Sequence, residues 1–241
     1  MEHDYLIAGL RVRMDSFGRT LSQAEPYLTE TVGQADITIT SNPQSLKDRQ
    51  PHLSLDDCEY LCTGGSFYRQ LLDFDGMLLH SSAVVMDGYA YLFSAPCGTG
   101  KSTHTNMWRA AFGEAVVMLN DDKPALRKED DCWYAYGTPW SGKTDQNINM
   151  RVPIGGICVL SRGEINEIEP YYGAKAIFSL LDQTVRPKMA NVRTRLLELL
   201  DDLMLSVPMW KLRCTPTKEA ALISQAAMSK EAIKRFGGKQ S

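Results

Sequence analysis

The stretch APCGTGKST, Ala95–Thr103, decides which fold is expected for this chain. It follows the apolar run Tyr89–Phe93 and fits the phosphate-binding pattern of a small residue, four spacers and then Gly-Lys-Ser. Glycines at positions 98 and 100 permit backbone angles that side chains forbid, so successive N–H groups can turn toward one anion. A helix that begins near Lys101 would direct its free N–H groups and its positive dipole end at the same anion.

The residue types in this stretch predict a nucleotide site that uses Mg²⁺. A lysine at position 101 can reach the β- and γ-phosphates, and the Ser102 hydroxyl can ligate Mg²⁺. The alternative is a glycine turn that happens to precede Lys-Ser. The predicted nucleotide-binding residues are Ala95, Cys97, Gly98, Thr99, Gly100, Lys101, Ser102 and Thr103.

A second chemical signal lies at the end of the next apolar run. Ala115–Leu119 has the pattern of a buried strand and leads directly into Asn120-Asp121-Asp122. Carboxylates one strand and one helix beyond a phosphate loop are where a nucleotide enzyme needs its Mg²⁺ ligands. One of the pair can hold the metal while the other accepts a proton from an attacking hydroxyl. The alternative is a solvated turn, for which Asn-Asp-Asp is well suited.

Residues 77 to 125 resemble the catalytic core of bacterial HPr kinase/phosphorylase. The shared features are His80, a hydrophobic–Asp87-Gly88–hydrophobic hairpin, the string C-G-T-G-K-S, a helix, and an apolar strand that ends in two aspartates. The GTGK string also resembles the kinase loop of ATP-dependent phosphoenolpyruvate carboxykinase, a structural relative of that core. The chain is similar as well to smaller HPr-kinase-like proteins, some of which phosphorylate peptide serines.

The resemblance implies an α/β fold with a mixed-sheet P-loop nucleotide-binding core, ATP with Mg²⁺ as cofactors, and phosphoryl transfer to a serine hydroxyl. By position, it makes Asp121 the general base and gives Lys101 a role in phosphate binding and catalysis. It makes Ser102 and Asp122 the metal-associated residues, and it places His80 near the active site.

Three departures from the family pattern bear on the substrate. Ala95 stands where the family has glycine, and Cys97 stands where it usually has serine. The stretch by which HPr kinases bind their protein substrate is not recognisable. The resemblance therefore supports kinase chemistry without supporting HPr as the acceptor.

The segment 133–152 predicts a loop near the phosphates, because Gly137, Pro139 and Gly142 interrupt regular structure. A cation from this loop could stabilise the charge that spreads over the transferring phosphoryl oxygens. Arg151 is the predicted catalytic cation, with Lys143 as the other candidate. The alternative is an ordinary surface loop.

The chain is predicted to divide into an amino-terminal α/β lobe, residues 1–75, and a core with carboxy-terminal helices, residues 76–241. In the lobe, residues 5–14 and 35–40 read as strands and 41–54 as a loop. Asp57–Cys62 is a further strand candidate, and Gly64-Gly65 predicts a turn before a helix from Phe67 to about residue 74. In the core, 77–86 is predicted as a strand that contains His80. The remaining expected elements are a strand at 154–160, helices at 173–181 and 192–205, a short strand at 208–214, and a helix from 215 to about 236.

Composition limits the classes of partner. The 241 residues carry a net charge of −3 without a basic block, so no nucleic-acid or membrane surface is expected. The amino terminus does not read as a secretory signal, and six scattered cysteines are typical of free thiols in a reducing compartment. The predicted location is cytoplasmic. The oligomeric state is left open, a homo-oligomer included.

These patterns favour an ATP- and Mg²⁺-dependent kinase whose acceptor is a hydroxyl, foremost a serine of a peptide or protein. Two other functions use the same residues. One is a nucleotide-responsive binding module without transfer activity. The other is a kinase for a small molecule, because no peptide groove is recognisable in the sequence.

Overall fold

The computed structural model describes residues 2–30 and 33–236, which form a mixed α/β fold around two sheets. Residues 237–241 of the predicted core unit lie outside the described part. The strands are β1 Glu2–Ile7, β2 Leu10–Asp15, β3 Ile37–Ile39, β4 Gly76–Leu78, β5 Ser81–Met86, β6 Tyr89–Ser94, β7 Val117–Asn120, β8 Ala125–Glu129, β9 Cys132–Tyr136, β10 Arg151–Arg162, β11 Glu167–Pro170 and β12 Met209–Cys214. The α-helices are α1 Gly18–Ala24, α2 Pro43–Arg49, α3 Leu55–Gln70, α4 Lys101–Phe112, α5 Ala174–Leu181, α6 Ala190–Ser206 and α7 Lys218–Phe236.

The larger sheet has nine strands, seven of them in the order β4-β8-β9-β10-β6-β5-β7. The long strand β10 connects its two halves. Its first residues pair antiparallel with β9, and later residues pair parallel with β6 and β12. Strand β11 extends the sheet beyond β12. The smaller sheet consists of β1, β2 and β3.

The pairing around β5 brings three chain segments to one end of the larger sheet. β5 and β6 form the hairpin predicted at Asp87-Gly88, whose two turn residues have φ angles of 53° and 79°. β6 and β7 flank β5, and both run antiparallel to it. Their carboxyl ends therefore meet at the end where β5 begins. The loop after β6, the aspartates after β7 and His80 before β5 consequently lie at the same edge.

The predicted strand at 57–62 and the predicted turn at Gly64-Gly65 were wrong, whereas the helix predicted from Phe67 to about residue 74 is confirmed in part, as the end of α3 and a 3-10 turn over Leu71–Phe74. Helix α3 runs through Gly64-Gly65 without a turn, and Ser54 caps it by accepting a hydrogen bond from the Asp57 amide at 2.9 Å. Gly64 is required by packing, since a Cβ atom there would lie 2.9 Å from Cδ1 of Trp140. The glycine that predicted a turn instead lets a tryptophan approach the helix.

Other element boundaries also differ from the predictions. Residues 5–14 form two strands around a turn with Ala8 and Gly9 at positive φ, and 43–49 is a helix inside the predicted loop. His80 lies between β4 and β5 instead of within one strand, because β4 pairs with β8 while β5 pairs with β6 and β7. The predicted loop begins only after β9. The strands at 154–160 and 208–214 and the three carboxy-terminal helices are confirmed, with small shifts of boundary.

The amino-terminal segment shares a core with later residues. Buried side chains of β1, β2 and α3, among them Tyr5 and Phe67, pack in one cluster with Tyr136 and Trp140. The ring of Trp140 stacks on Phe67 with centroids 4.8 Å apart. Within the described residues, no helix is long and apolar enough to cross a membrane.

Candidate functional site

The loop between β6 and α4 contains two glycines at positive φ. Gly98 and Gly100 have φ angles of 75° and 125°, in the region that favours glycine. The Thr99 amide donates to the Pro96 carbonyl at 3.2 Å. Among residues 2–30 and 33–236, no hydrogen-bond acceptor is found for the other amides of the loop and the first helical turn. These amides belong to Gly98, Gly100, Lys101, Ser102 and Thr103.

Lys101 is the first residue of α4, and its side chain is buried beneath the loop. Its Nζ donates to the Ala95 carbonyl at 2.9 Å. Burial lowers the pKa of Lys101, and the negative charges of Asp122 and Asp121 act in the opposite direction. The ammonium group therefore lies within electrostatic reach of both carboxylates. The loop, the lysine and the aspartate pair therefore lie at the same end of the larger sheet.

Asp121 is buried and has neutral partners. Its Oδ1 accepts a hydrogen bond from the Ser82 hydroxyl at 2.6 Å, and its Oδ2 accepts one from the Thr144 hydroxyl at 3.0 Å. The Ser82 hydroxyl also lies 2.8 Å from the Thr105 hydroxyl on α4. These hydroxyls fix the orientation of the carboxylate without neutralising its charge.

Asp122 contacts a histidine and a lysine. Its Oδ1 lies 3.0 Å from Nε2 of His80, and its Oδ2 accepts a hydrogen bond from Nζ of Lys123. Burial alone would raise the pKa of Asp122, but the His80 hydrogen bond and the Lys123 charge outweigh it and hold the pKa well below the ordinary range. Asp122 consequently has little affinity for a proton, which leaves Asp121 as the better candidate for a general base.

The residues around the loop fit a magnesium nucleotide better than a metal held by protein ligands alone. No group of three or more His, Cys, Asp or Glu side chains in the described chain could hold a metal ion. Mg²⁺, however, is usually held by one or two protein oxygens together with water and substrate phosphates. The Ser102 hydroxyl and the Asp122 carboxylate offer that kind of donor set, although a metal would compete with Lys123 for Asp122.

Helix α3 contributes a residue that the sequence did not indicate. The Tyr60 hydroxyl accepts a hydrogen bond from the Gly142 amide at 2.8 Å and lies 3.3 Å from Oδ2 of Asp122. The side-chain amide of Gln23 donates to the Gly142 carbonyl at 3.0 Å. The amino-terminal segment thus holds the Gly142 peptide against the aspartate pair. No local motif announces Tyr60, because it lies 62 positions before Asp122 in the chain.

The predicted loop before β10 does lie beside the aspartates, but Arg151 does not. Within residues 141–147, the Thr144 hydroxyl donates a hydrogen bond to Asp121, and the Gln146 carbonyl accepts a hydrogen bond from the Asp121 amide at 3.0 Å. Arg151 instead pairs with Glu129 at 3.0 Å, and its guanidinium lies 4.1 Å from the ring centroid of Tyr134. The prediction that Arg151 lies near the phosphates was therefore wrong, and Arg151 is not part of the candidate site.

Another arginine contacts the loop. Nη2 of Arg162, at the end of β10, donates to the Gly98 carbonyl at 2.6 Å. The other candidate cation, Lys143, lies exposed in the 141–147 segment. Arg162 had no signal in the sequence, since it follows an ordinary buried-strand pattern and reaches the loop only through the parallel pairing of β10 with β6.

Comparisons with known proteins assign no family to this chain. No family model matches it, and no curated protein sequence matches it. Among solved structures, the HPr(Ser) kinase/phosphatase from Coxiella burnetii is similar, with a TM-score of 0.39 and 11% identity over 66% of this chain and 97% of that one. The function proposed below therefore rests on the geometry of the site.

Proposed function

We propose that this protein is an ATP- and Mg²⁺-dependent kinase that transfers the γ-phosphoryl group to a hydroxyl, foremost a serine of a peptide or protein. One observation carries the proposal. Unpaired amides at the start of α4, the buried Lys101 ammonium and the Asp121-Asp122 pair converge at one end of the sheet. Polyphosphate binding and proton removal are the two tasks that phosphoryl transfer to an alcohol requires.

Each part of the site has a task in this reaction. The amides of residues 100–103 and Lys101 would hold the phosphates and offset the charge that develops on their oxygens. Ser102 and Asp122 would hold Mg²⁺, which neutralises phosphate charge when bound. Asp121 would take the proton of the acceptor hydroxyl. The hydroxyl oxygen then bonds to the γ-phosphorus, and the bond between the γ-phosphorus and the bridging oxygen of the β-phosphate breaks. The products are a phosphate ester and ADP.

The difference between the two carboxylates supports this assignment. Asp122 lies against the His80 ring and the Lys123 ammonium, and both contacts favour its ionised form. The hydroxyls that contact Asp121 leave its oxygens with lone pairs for a further proton. His80 then acts through Asp122, as a positioning residue that fixes the orientation of that carboxylate.

The decisive experiment compares the wild type with Asp121→Asn in the presence of γ-labelled ATP, Mg²⁺ and a cell lysate. We expect the wild type to label polypeptide and the variant to lose transfer by at least about a hundredfold, the typical contribution of a general base. ATP binding should remain within about twofold of wild type, since Asp121 makes no contact with the amides that hold the phosphates.

Asp201→Asn, at an exposed position on α6, is the matched control and should label as the wild type does. Label on a metabolite instead of a polypeptide would indicate a small-molecule kinase. ATP binding without any labelled product would indicate a nucleotide-responsive binding module. Equal turnover by Asp121→Asn and the wild type would remove Asp121 from the mechanism.

A further inference from the structure

A cavity of about 510 Å³ lies beside the phosphate loop, on the side toward β10 and β12. Its wall on the loop side is formed by residues 98–100 and by Thr103 at the start of α4. The opposite wall is formed by the carboxyl ends of the two strands, with Leu160, Arg162 and Cys214. The volume falls within the range of pockets that bind small molecules, about 300–1,000 Å³.

Much of the cavity lining is uncharged. Leu160 is an apolar side chain that is almost fully buried, and the half-buried Cys214 thiol has its pKa raised by burial, so it is neutral. His104 also lines the cavity, and its Nε2 lies 3.0 Å from the Ser224 hydroxyl. Burial lowers the pKa of His104 to about 4, so this ring is neutral as well. Such walls suit a flat, uncharged group better than an anion.

A charged group joins this uncharged space to the loop. The exposed Arg162 lines the cavity and at the same time donates to the Gly98 carbonyl at 2.6 Å. The amides of Gly100 and Thr103 have no partner among the described residues. The cavity therefore opens beside an arginine and free amides, which attract phosphate, whereas its uncharged walls do not attract an anion.

The cavity and the aspartates lie on different sides of the start of α4. Lys101 and Thr105, four residues apart, share one face of the helix, and Thr105 contacts Ser82, the hydroxyl partner of Asp121. Thr103 points in another direction and lines the cavity. In phosphoryl transfer, the attacking and leaving oxygens are roughly in line, so the acceptor and the nucleoside lie at opposite ends of the triphosphate. An acceptor at Asp121 leaves the cavity side for the nucleoside.

We infer that this cavity binds the nucleoside part of the nucleotide, with the base against Leu160 and Cys214 and with Arg162 at the junction to the phosphates. The inference rests on the proposed function, because it requires that the loop holds a polyphosphate. It adds a set of residues that select for a nucleotide over a bare polyphosphate. The rival occupant is the acceptor substrate.

The test uses two probes, ATP and inorganic tripolyphosphate, each titrated calorimetrically in the presence of Mg²⁺. Cys214→Phe narrows the cavity without touching the loop. We expect it to weaken ATP binding by about tenfold or more, while tripolyphosphate binding stays within about twofold. Cys132→Phe, at another half-buried cysteine on β9 outside the cavity, is the matched control and should leave both affinities unchanged.

A second measurement avoids any effect of the substitution on folding. In the wild-type protein, alkylation of each cysteine is followed by peptide mass spectrometry. We expect ATP to slow the alkylation of Cys214 at least about threefold, because the nucleoside would cover the thiol. Saturating tripolyphosphate lacks a nucleoside and should leave the alkylation rate as it is in buffer alone. Cys132 reports on general changes in accessibility and should react at the same rate throughout.

The outcomes separate the two proposals. If neither ATP nor tripolyphosphate binds, the loop holds no polyphosphate and the proposed function fails. If tripolyphosphate and ATP both bind, but Cys214→Phe leaves ATP affinity unchanged and ATP leaves Cys214 alkylation unchanged, only the nucleoside assignment is overturned. Weaker phosphorylation of the acceptor with unchanged ATP affinity would assign the cavity to the rival occupant.

Discussion

The buried carboxyl group of Glu59 provides a quantitative test of how the amino-terminal segment is packed. Glu59 lies on α3 with 0% exposure, and neither carboxyl oxygen has a hydrogen-bond partner in the described part of the chain. Burial raises its pKa from the ordinary 4.5 to about 7, and the nearby Thr20 hydroxyl, Phe17 amide and Arg19 charge offset only part of this shift. The folded protein therefore retains a proton on Glu59 at pH values where the unfolded chain has lost it.

The sign and size of the effect follow from this difference. Below pH 4.5 both states carry the proton, so burial of Glu59 involves no ionisation cost. Between pH 4.5 and 7 only the unfolded chain ionises, so the free energy of unfolding decreases as the pH rises. A difference of about 2.5 pKa units corresponds to about 3 kcal/mol, most of it lost between pH 5 and 8.

The perturbation is Glu59→Gln, which keeps the shape of the side chain but cannot ionise. Urea unfolding, followed by tryptophan fluorescence at several pH values, gives the free energy of unfolding of each protein. As the pH rises from 5 to 8, we expect the free energy of unfolding of the variant to increase by about 2–3 kcal/mol relative to that of the wild type. A pH-independent difference caused by the amide itself would not change this result. Glu114→Gln, at an exposed position, is the control and should follow the wild type. Parallel curves for Glu59→Gln and the wild type would refute the reasoning.

Two further predictions concern the contacts of α3. Tyr60→Phe keeps the ring but removes the hydroxyl that holds the Gly142 amide beside the aspartate pair. In the proposed kinase reaction, kcat should therefore fall about tenfold with the KM for ATP unchanged, and a change in KM alone would contradict this positioning role. Gly64→Ala should destabilise the fold by about 1–3 kcal/mol, because the new methyl group would lie 2.9 Å from the Trp140 ring. At the neighbouring Gly65, an added Cβ would lie 3.4 Å from the end of the flexible Arg69 side chain, so Gly65→Ala should be neutral or slightly stabilising in thermal unfolding. Equal destabilisation by the two substitutions would contradict the packing argument.

The sequence was most informative where a structure is set by adjacent residues. The Asp87-Gly88 turn formed as predicted because its backbone angles depend on those two residues alone. The strand before the Ala95–Thr103 loop, the helix after it and the strand that leads to Asp121 were likewise predictable from local periodicity. The roles proposed for these residues stay predictions until the transfer assay is done.

The sequence-based predictions were wrong where a contact with a residue distant in the chain determines the local structure. Gly64-Gly65 reads as a turn in isolation, yet the ring of Trp140 requires a small residue at that point of a continuous helix. Arg151 appeared a suitable catalytic cation because of its loop, but strand pairing places it beside Glu129. In both cases the competing interaction is a tertiary contact that no window of local sequence contains.

By itself, the sequence determined the chemistry that is available: a glycine loop with a lysine, and two aspartates after a buried strand. Tertiary structure alone decided how these groups are combined. The antiparallel pairing of β5 with both β6 and β7 brings the loop, His80 and the aspartates to one edge, and the packing of α3 adds Tyr60. The physical reason is that backbone angles depend on neighbouring residues, whereas the charge partners of a carboxylate depend on which distant segments pack around it.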